Sequence, residues 1–218
     1  MSMSQLPFFS EFQRYATLCL CLFICMTSSS VHAQFKATAL NYQASVVAQT
    51  RLQSAAIPVT SSALVQYAAQ GDVAVVDLLL SAGVSAKDPE PLRRVTALHN
   101  AAAQGHLKLV QSLIVSGALI DAQDISGATP LINAVYAGQI EAAKLLLQNK
   151  ANANVVSLHN PSALNLAVQY GNTRMVELLF SSGASVDLRD TYGLSPRSTA
   201  QNLNRIEILK LLDKAVSK

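Results

Sequence analysis

Beyond residue 25 the sequence has no cysteine; Cys19, Cys21 and Cys25 all sit near the N-terminus. A chain that starts after them can form no disulfide and offers no thiol nucleophile, so an oxidising compartment would not harm it. Dense positive charge is missing as well. The net charge is +3, the lysines and arginines are scattered, and only Arg93 and Arg94 are adjacent. Nucleic-acid binding needs a basic face, and none is present. There is no phosphate-cradling G-x-x-x-x-G-K-[ST], no G-x-S-x-G turn, and no base at a recognisable spacing from any serine. Past residue 33 the histidines are His99, His106 and His159, far short of a spaced set of zinc ligands. The only N-x-[ST] triplet, Asn160-Pro161-Ser162, is disqualified as a glycosylation acceptor by its proline. The chain is therefore expected to be non-enzymatic, with no catalytic residue, metal or cofactor.

Long apolar runs are scarce too. The N-terminal one, "ATLCLCLFICM" at residues 16–26, has eleven residues, whereas spanning a bilayer takes about 20. Arg14 precedes it, and Val31-His32-Ala33 follows with small residues at the outer positions. This is the order of a secretory signal, with a cut expected between Ala33 and Gln34. Glu11 offsets Arg14, so the positive region is imperfect, and an uncleaved anchor or a buried helix is the alternative. Leu18, Leu20 and Ile24 precede the three cysteines where a lipid-anchored protein would need a small residue. The expected organisation is a signal peptide at 1–33, a leader or capping helix at 34–59, and a main domain at 60–216. The leader has apolar residues near helical spacing at Leu40, Ala44 and Val47. It is read either as a helix covering the open end of the main domain or as a flexible segment.

What the sequence does contain is a repeat. Gly71, Gly105, Gly138, Gly171 and Asn204 follow one another at spacings of 34, 33, 33 and 33 residues. Eight residues after each stands an apolar pair: Leu79-Leu80, Leu113-Ile114, Leu146-Leu147 and Leu179-Phe180, with Leu212-Asp213 in the last copy. Thr96 and Thr129 stand where a hydroxyl would cap a helix, and Pro130 and Pro196 fit a first helical position. Glycine suits a turn of positive φ, and asparagine tolerates one better than most residues. A pair of short helices cannot bury its own apolar face, so neighbouring pairs must supply the core. Asp213, where inner copies are apolar, suits a terminal copy with one face in water.

The stretches "TALHNAAAQGH" from Thr96, "DISGATPLINAVYAG" from Asp124 and "DTYGLSP" from Asp190 strongly resemble the ankyrin repeat. The resemblance covers about residues 60–216. It implies an all-α solenoid of about five helix-turn-helix repeats with β-turn fingers, divided near 60–90, 91–123, 124–156, 157–189 and 190–216. It makes His99 and His106 structural, and Asp124 and Asp190 turn formers. Departures are visible. Lys150 replaces the glycine before Ala151, and Val65, Ile132, Asn165 and Ser198 replace the family histidine, so some local hydrogen bonding is expected to be lost. The linker "KDPEPLRRV" at 87–95 is one residue longer than the others and predicts an enlarged finger.

In this family the fingers and inner-helix ends form a concave face that grips other proteins. Carried onto this sequence, the finger positions are Leu92, Arg93, Gln123, Ile125, Ser126, Val156, Leu158, His159, Arg189, Thr191 and Tyr192. The inner-helix ends are Gln104, Tyr136, Gln169 and Tyr170. Ile125, Val156 and Leu158 would either meet a partner or pack finger against finger. The resemblance points to a monomeric interaction module of a bacterial periplasm whose partner is another protein. Small ankyrin proteins of this design include accessory factors associated with peroxide defence and immunity proteins that neutralise a toxin or enzyme, and the fold does not choose between these roles.

Overall fold

The computed structural model describes residues 29–158 and 161–216. Residues 1–28 of the expected signal segment, and His159 and Asn160, lie outside the described residues. Among the described residues there are eleven helices and no strand. They are α1 (Ser29–Ser54), α2 (Ser61–Gln70), α3 (Val73–Ser81), α4 (Ala97–Gln104), α5 (Leu107–Val115), α6 (Pro130–Tyr136), α7 (Ile140–Gln148), α8 (Ala163–Gln169), α9 (Thr173–Ser181), α10 (Pro196–Asn202) and α11 (Ile206–Val216). The chain divides into two compact units at Val46 and Val47. In the first, the described residues are helical and Leu40, Tyr42 and Val46 are exposed. Helix α1 runs through Ala33-Gln34 without a break and ends at Ser54.

The second unit holds five helix pairs, α2/α3 to α10/α11. In each, the first helix packs on the first helix of the next pair, so that one row of inner helices and one of outer helices result. Local sequence sets the helix ends. Thr60, Asp72, Thr129, Ser162, Asn172 and Ser195 each accept a backbone N–H through their side chains, and Pro130 and Pro196 open their helices at no cost in hydrogen bonds. The first residue of every apolar pair, Leu79, Leu113, Leu146, Leu179 and Leu212, is fully buried. Burying such a side chain contributes roughly 1.5–3 kcal/mol. The second residue is half-buried in the inner copies. In the last copy it is Asp213, which pairs with Arg197 at 3.1 Å while remaining 60% exposed.

At the other end, Ala48 and Leu52 of α1 are buried, and Gln49 Nε2 donates to the carbonyl of Ala82 at the end of α3. From Val47 on, this helix therefore covers the first repeat, as one of the two readings of the leader expects.

Polar side chains tie each repeat to its neighbour. His99 Nδ1 accepts from Thr96 N–H at 3.1 Å, which leaves the proton on Nε2 to donate to the Ala128 carbonyl at 3.0 Å. Asn165 makes the same crossing: its Nδ2 donates to the Leu194 carbonyl and to Asp190. At Asn165 the bond between repeats is thus kept, because an amide carries an N–H to nearly the same place, but the local one is lost: its Oδ1 is buried without a partner, where His99 Nδ1 accepts from the Thr96 N–H. Val65 and Ile132 instead join the apolar core. A second tie runs over the turns. His106 Nε2 lies 3.3 Å from the Ala69 carbonyl and Arg205 donates to that of Gln169. Both side chains lie so close over Gly71 and Gly171 that a Cβ there would approach within 3.0 Å.

Two residues accept left-handed backbone where the repeat elsewhere has glycine: Lys150 (φ 72°) and Asn204 (φ 52°). A left-handed conformation costs a Cβ-bearing residue such as Lys about 1–2 kcal/mol. Lys150→Gly is expected to raise stability by up to about 1 kcal/mol, because glycine's greater entropy when unfolded offsets part of the relieved strain, whereas Lys150→Ala should not. Urea unfolding followed by circular dichroism measures both.

Burial holds His99 below its ordinary value of 6.5, since the imidazolium loses hydration; the Ala128 carbonyl acts in the opposite sense but less strongly. As pH falls through about 6.5 the unfolded chain takes up this proton before the folded one does. The contribution of His99 is therefore complete above that pH and is lost toward the lower folded value. Stability measured near pH 7.5 and pH 5 should fall less for His99→Asn, which mimics Asn165, than for the natural chain.

Candidate functional site

The fingers are built from acidic turn residues. Asp124 Oδ1 accepts from Ser126 N–H, Ser126 Oγ and Ala128 N–H at 2.7–3.0 Å, and the Asp124 N–H donates back to the Ala128 carbonyl. Asp190 repeats the pattern with Tyr192 and Leu194. In the longer linker the same role falls to Glu90. Its carboxylate accepts from the Leu92 and Arg93 N–H groups, and its own N–H donates to the Val95 carbonyl. The longer side chain spans a loop that is longer by one residue, and Arg94 absorbs the extra turn with φ 57°. The expected enlarged finger is therefore a closed turn of the same kind. Nothing in the family pattern marks Glu90, and its register, one residue out of step, hid it.

Adjacent fingers join through the backbone: Ile125 N–H donates to Arg93 O, and Leu158 N–H to Ser126 O, at 2.9 and 3.0 Å. A second set of links between repeats runs from side chain to backbone. Asp121 accepts from Asn152 N–H, and Asn154 accepts from Ser185 N–H. These links fix the fingers while their side chains stay in solvent. Leu92 is 81% exposed, Ile125 64%, Leu158 66% and Tyr192 71%. Leu158 lies against Gly127, whose absent Cβ would meet its backbone at 3.0 Å. Leu158 therefore touches the neighbouring finger along one side and keeps most of its surface in solvent, Ile125 stays exposed, and Val156 is half-buried. An open depression of about 510 Å³ lies among the fingers, lined by Arg94, Asp121, Gln123, Asp124, Ile125, Gly127, Val156 and Leu158.

Arg93, Gln123, Arg189 and Thr191 are exposed. Arg189 folds back to donate to the Gly193 carbonyl. Ser126 is half-buried, with its hydroxyl held by Asp124, which makes it a turn residue first. Of the inner-helix ends, Gln104 is exposed and Gln169 half-buried. Tyr136 ends α6 and Tyr170 follows α8. Their rings meet edge to face with centroids 5.9 Å apart and planes at 79°, and both remain more than half exposed. Partial burial, and then the Tyr136 hydroxyl, push Tyr170 above its ordinary value of 10.

Among the described residues no three His, Cys, Asp or Glu side chains converge in a way that could hold a metal ion. None of the described helices is long and apolar enough to cross a membrane.

Family models bear on what this surface is for. One for ankyrin repeats in three copies matches residues 64–157, and one for a single ankyrin repeat matches 162–191. The chain belongs to the ankyrin-repeat family. Together the matches cover more than half of its length, and the family's fold is an interaction module rather than an enzyme scaffold. They stop short of the α10/α11 pair, which the structure nevertheless stacks on α8 and α9. No curated protein matches the chain in sequence.

Asp124→Ala should loosen the central finger. A destabilisation of about 1–3 kcal/mol is expected from the lost charge-assisted bonds, with faster hydrogen exchange at the Ser126 and Ala128 amides and little change in the helices.

Proposed function

We propose that this ankyrin-repeat protein is a non-enzymatic binding module of the bacterial cell envelope. It would engage another protein through the fingers and the exposed ends of the inner helices. One observation carries the reading: four large apolar finger side chains and two paired tyrosines stand in solvent on a backbone that hydrogen bonds hold in place. Rigid, exposed aromatic and aliphatic side chains are what interface anchors require, because little entropy is lost when they bind.

The envelope location rests on the order of the N-terminal segment, a lone arginine, a short apolar run and small residues before Ala33. The absence of cysteine after residue 25 is compatible with an oxidising compartment. A role as accessory factor, in stress defence for example, is the reading preferred over inhibition of a toxin or enzyme.

The test is affinity capture from envelope extract. Three baits are compared: the natural chain, Tyr136→Ala/Tyr170→Ala/Tyr192→Ala, and Leu92→Ser/Ile125→Ser/Leu158→Ser. A specific partner lost by at least tenfold with either variant is the expected outcome. A partner held equally by all three would move the site away from this surface. Loss of the first 33 residues from the periplasmic protein, read by mass spectrometry, checks the location.

A further inference from the structure

At three of the four junctions between helix pairs, a side chain lies over the turn of the preceding pair. His106 covers Gly71, Gln139 covers Gly105 and Arg205 covers Gly171, each so closely that a Cβ on the glycine would come within 3.0 Å. Over Gly138 a Cβ would meet nothing within 4 Å. The residue that stands in register to cover it is Asn172. Its Oδ1 accepts instead from the Met175 N–H at 3.1 Å and caps α9, whereas the side chains of His106 and Gln139 make no cap bond. The amide is thereby turned toward its own helix. The forward tie is lost at the same junction. His99 and Asn165 donate to carbonyls of the next finger, but Ile132, in the same place on α6, is a buried core residue. Val65 is apolar as well, yet its junction has His106 beside the Ala69 carbonyl and Asn100 donating to the Val65 carbonyl.

The finger end of this junction is fastened. Leu158 N–H donates to Ser126 O at 3.0 Å, Asn154 Nδ2 donates to Gly183 O at 3.0 Å, and Ser185 N–H donates to Asn154 Oδ1 at 2.8 Å. At the turn end the two pairs meet through the rings of Tyr136 and Tyr170, edge to face and more than half exposed. From this asymmetry we infer that the solenoid carries a hinge between α6/α7 and α8/α9, with the fingers as its pivot and the two tyrosines as its latch. The turn ends spread when the rings part, and the finger backbone keeps its place. The side chains buried toward the turn ends of α6 and α8 are small, Ala134, Val135, Ala167 and Val168, so spreading exposes little apolar surface. Rings that part regain water, whereas a buried polar group that loses its partner does not, so this junction opens more readily than the tied ones. The inner-helix ends of the first three pairs can then shift against those of the last two under a continuous row of fingers. The hinge stands on these contacts alone and does not depend on the binding-module reading.

Hydrogen exchange of the full chain, followed residue by residue by NMR and corrected for intrinsic rates, tests the hinge. Fraying from the ends of a stack would leave the middle pair, α6/α7, the most protected. The hinge reverses that order at the turn. The amides of Ala134, Val135 and Tyr136 should exchange about tenfold faster than those of Ala101, Ala102 and Ala103, which occupy the same places in α4. Tyr136→Ala/Tyr170→Ala removes the latch and should raise the first set about tenfold further, with the α4 amides unchanged as the internal check that the stack is folded. Tyr136→Phe/Tyr170→Phe keeps the rings and should leave both sets as they are. Asn172→His places at the open turn the residue type that covers Gly71, and Asn172→Ala is its control because both lose the α9 cap bond. Exchange at Ala134, Val135 and Tyr136 should be about fivefold slower in Asn172→His than in Asn172→Ala.

Equal protection of the two sets in the natural chain would overturn the inference. So would exchange at Ala134, Val135 and Tyr136 that ignores the loss of both rings. Identical rates in Asn172→His and Asn172→Ala would do the same, because the open turn would then have no part in the motion.

Discussion

No helix pair in this protein has a core of its own. Each inner helix is seven to ten residues long and each outer helix nine to eleven. Helices this short are marginal in isolation, and their stability must come from packing. The fully buried leucines at 79, 113, 146, 179 and 212 are the points at which that packing is made. Stacking is thus the constraint from which the rest follows. It demands capped helix ends, close approach of small residues such as Ala101, Ala102, Ala134 and Ala167, and something to close each end. The ends are closed differently. The end of α1 covers the first repeat with Ala48 and Leu52, whereas the last repeat turns polar and pairs Asp213 with Arg197.

Stacking also explains why the polar ties cross between repeats rather than within them. The carbonyls of Ala69, Ala128, Gln169 and Leu194 are reached from the neighbouring repeat by His106, His99, Arg205 and Asn165. Those of Ala128 and Leu194 also accept from the Asp124 and Asp190 N–H groups of their own fingers, so one oxygen serves both the turn and the tie between repeats. The same repeat-to-repeat logic aligns the fingers through Arg93–Ile125 and Ser126–Leu158. A surface built in this way is stiff in its backbone and free in its side chains, which suits recognition.

Much of the architecture was legible before any coordinates, because the period, the turn glycines, the capping residues and the apolar pairs are all local or periodic signals. Replacing the histidine by Asn165 costs the local bond, as the sequence suggests, but the bond it keeps to the carbonyl 29 residues ahead is visible only once both side chains are seen reaching it. Glu90 was missed for a related reason: its role as the finger acid depends on the length of side chain matching the length of loop. The exposed positions Ile125, Leu158, Tyr136 and Tyr170 could be named from the family pattern, but whether Ile125 and Leu158 packed on one another or stood in solvent could not.

By itself, then, the sequence determined the number of repeats, where several of the helices start and turn, and where along each repeat the apolar pair stands. These depend on spacing along one chain and on the conformational preferences of single residues. The tertiary structure alone decided which side chains bridge adjacent repeats and that Tyr136 and Tyr170 form an edge-to-face pair. Those facts concern residues 29 to 37 positions apart that stacking brings together, and no local preference encodes a meeting at that distance.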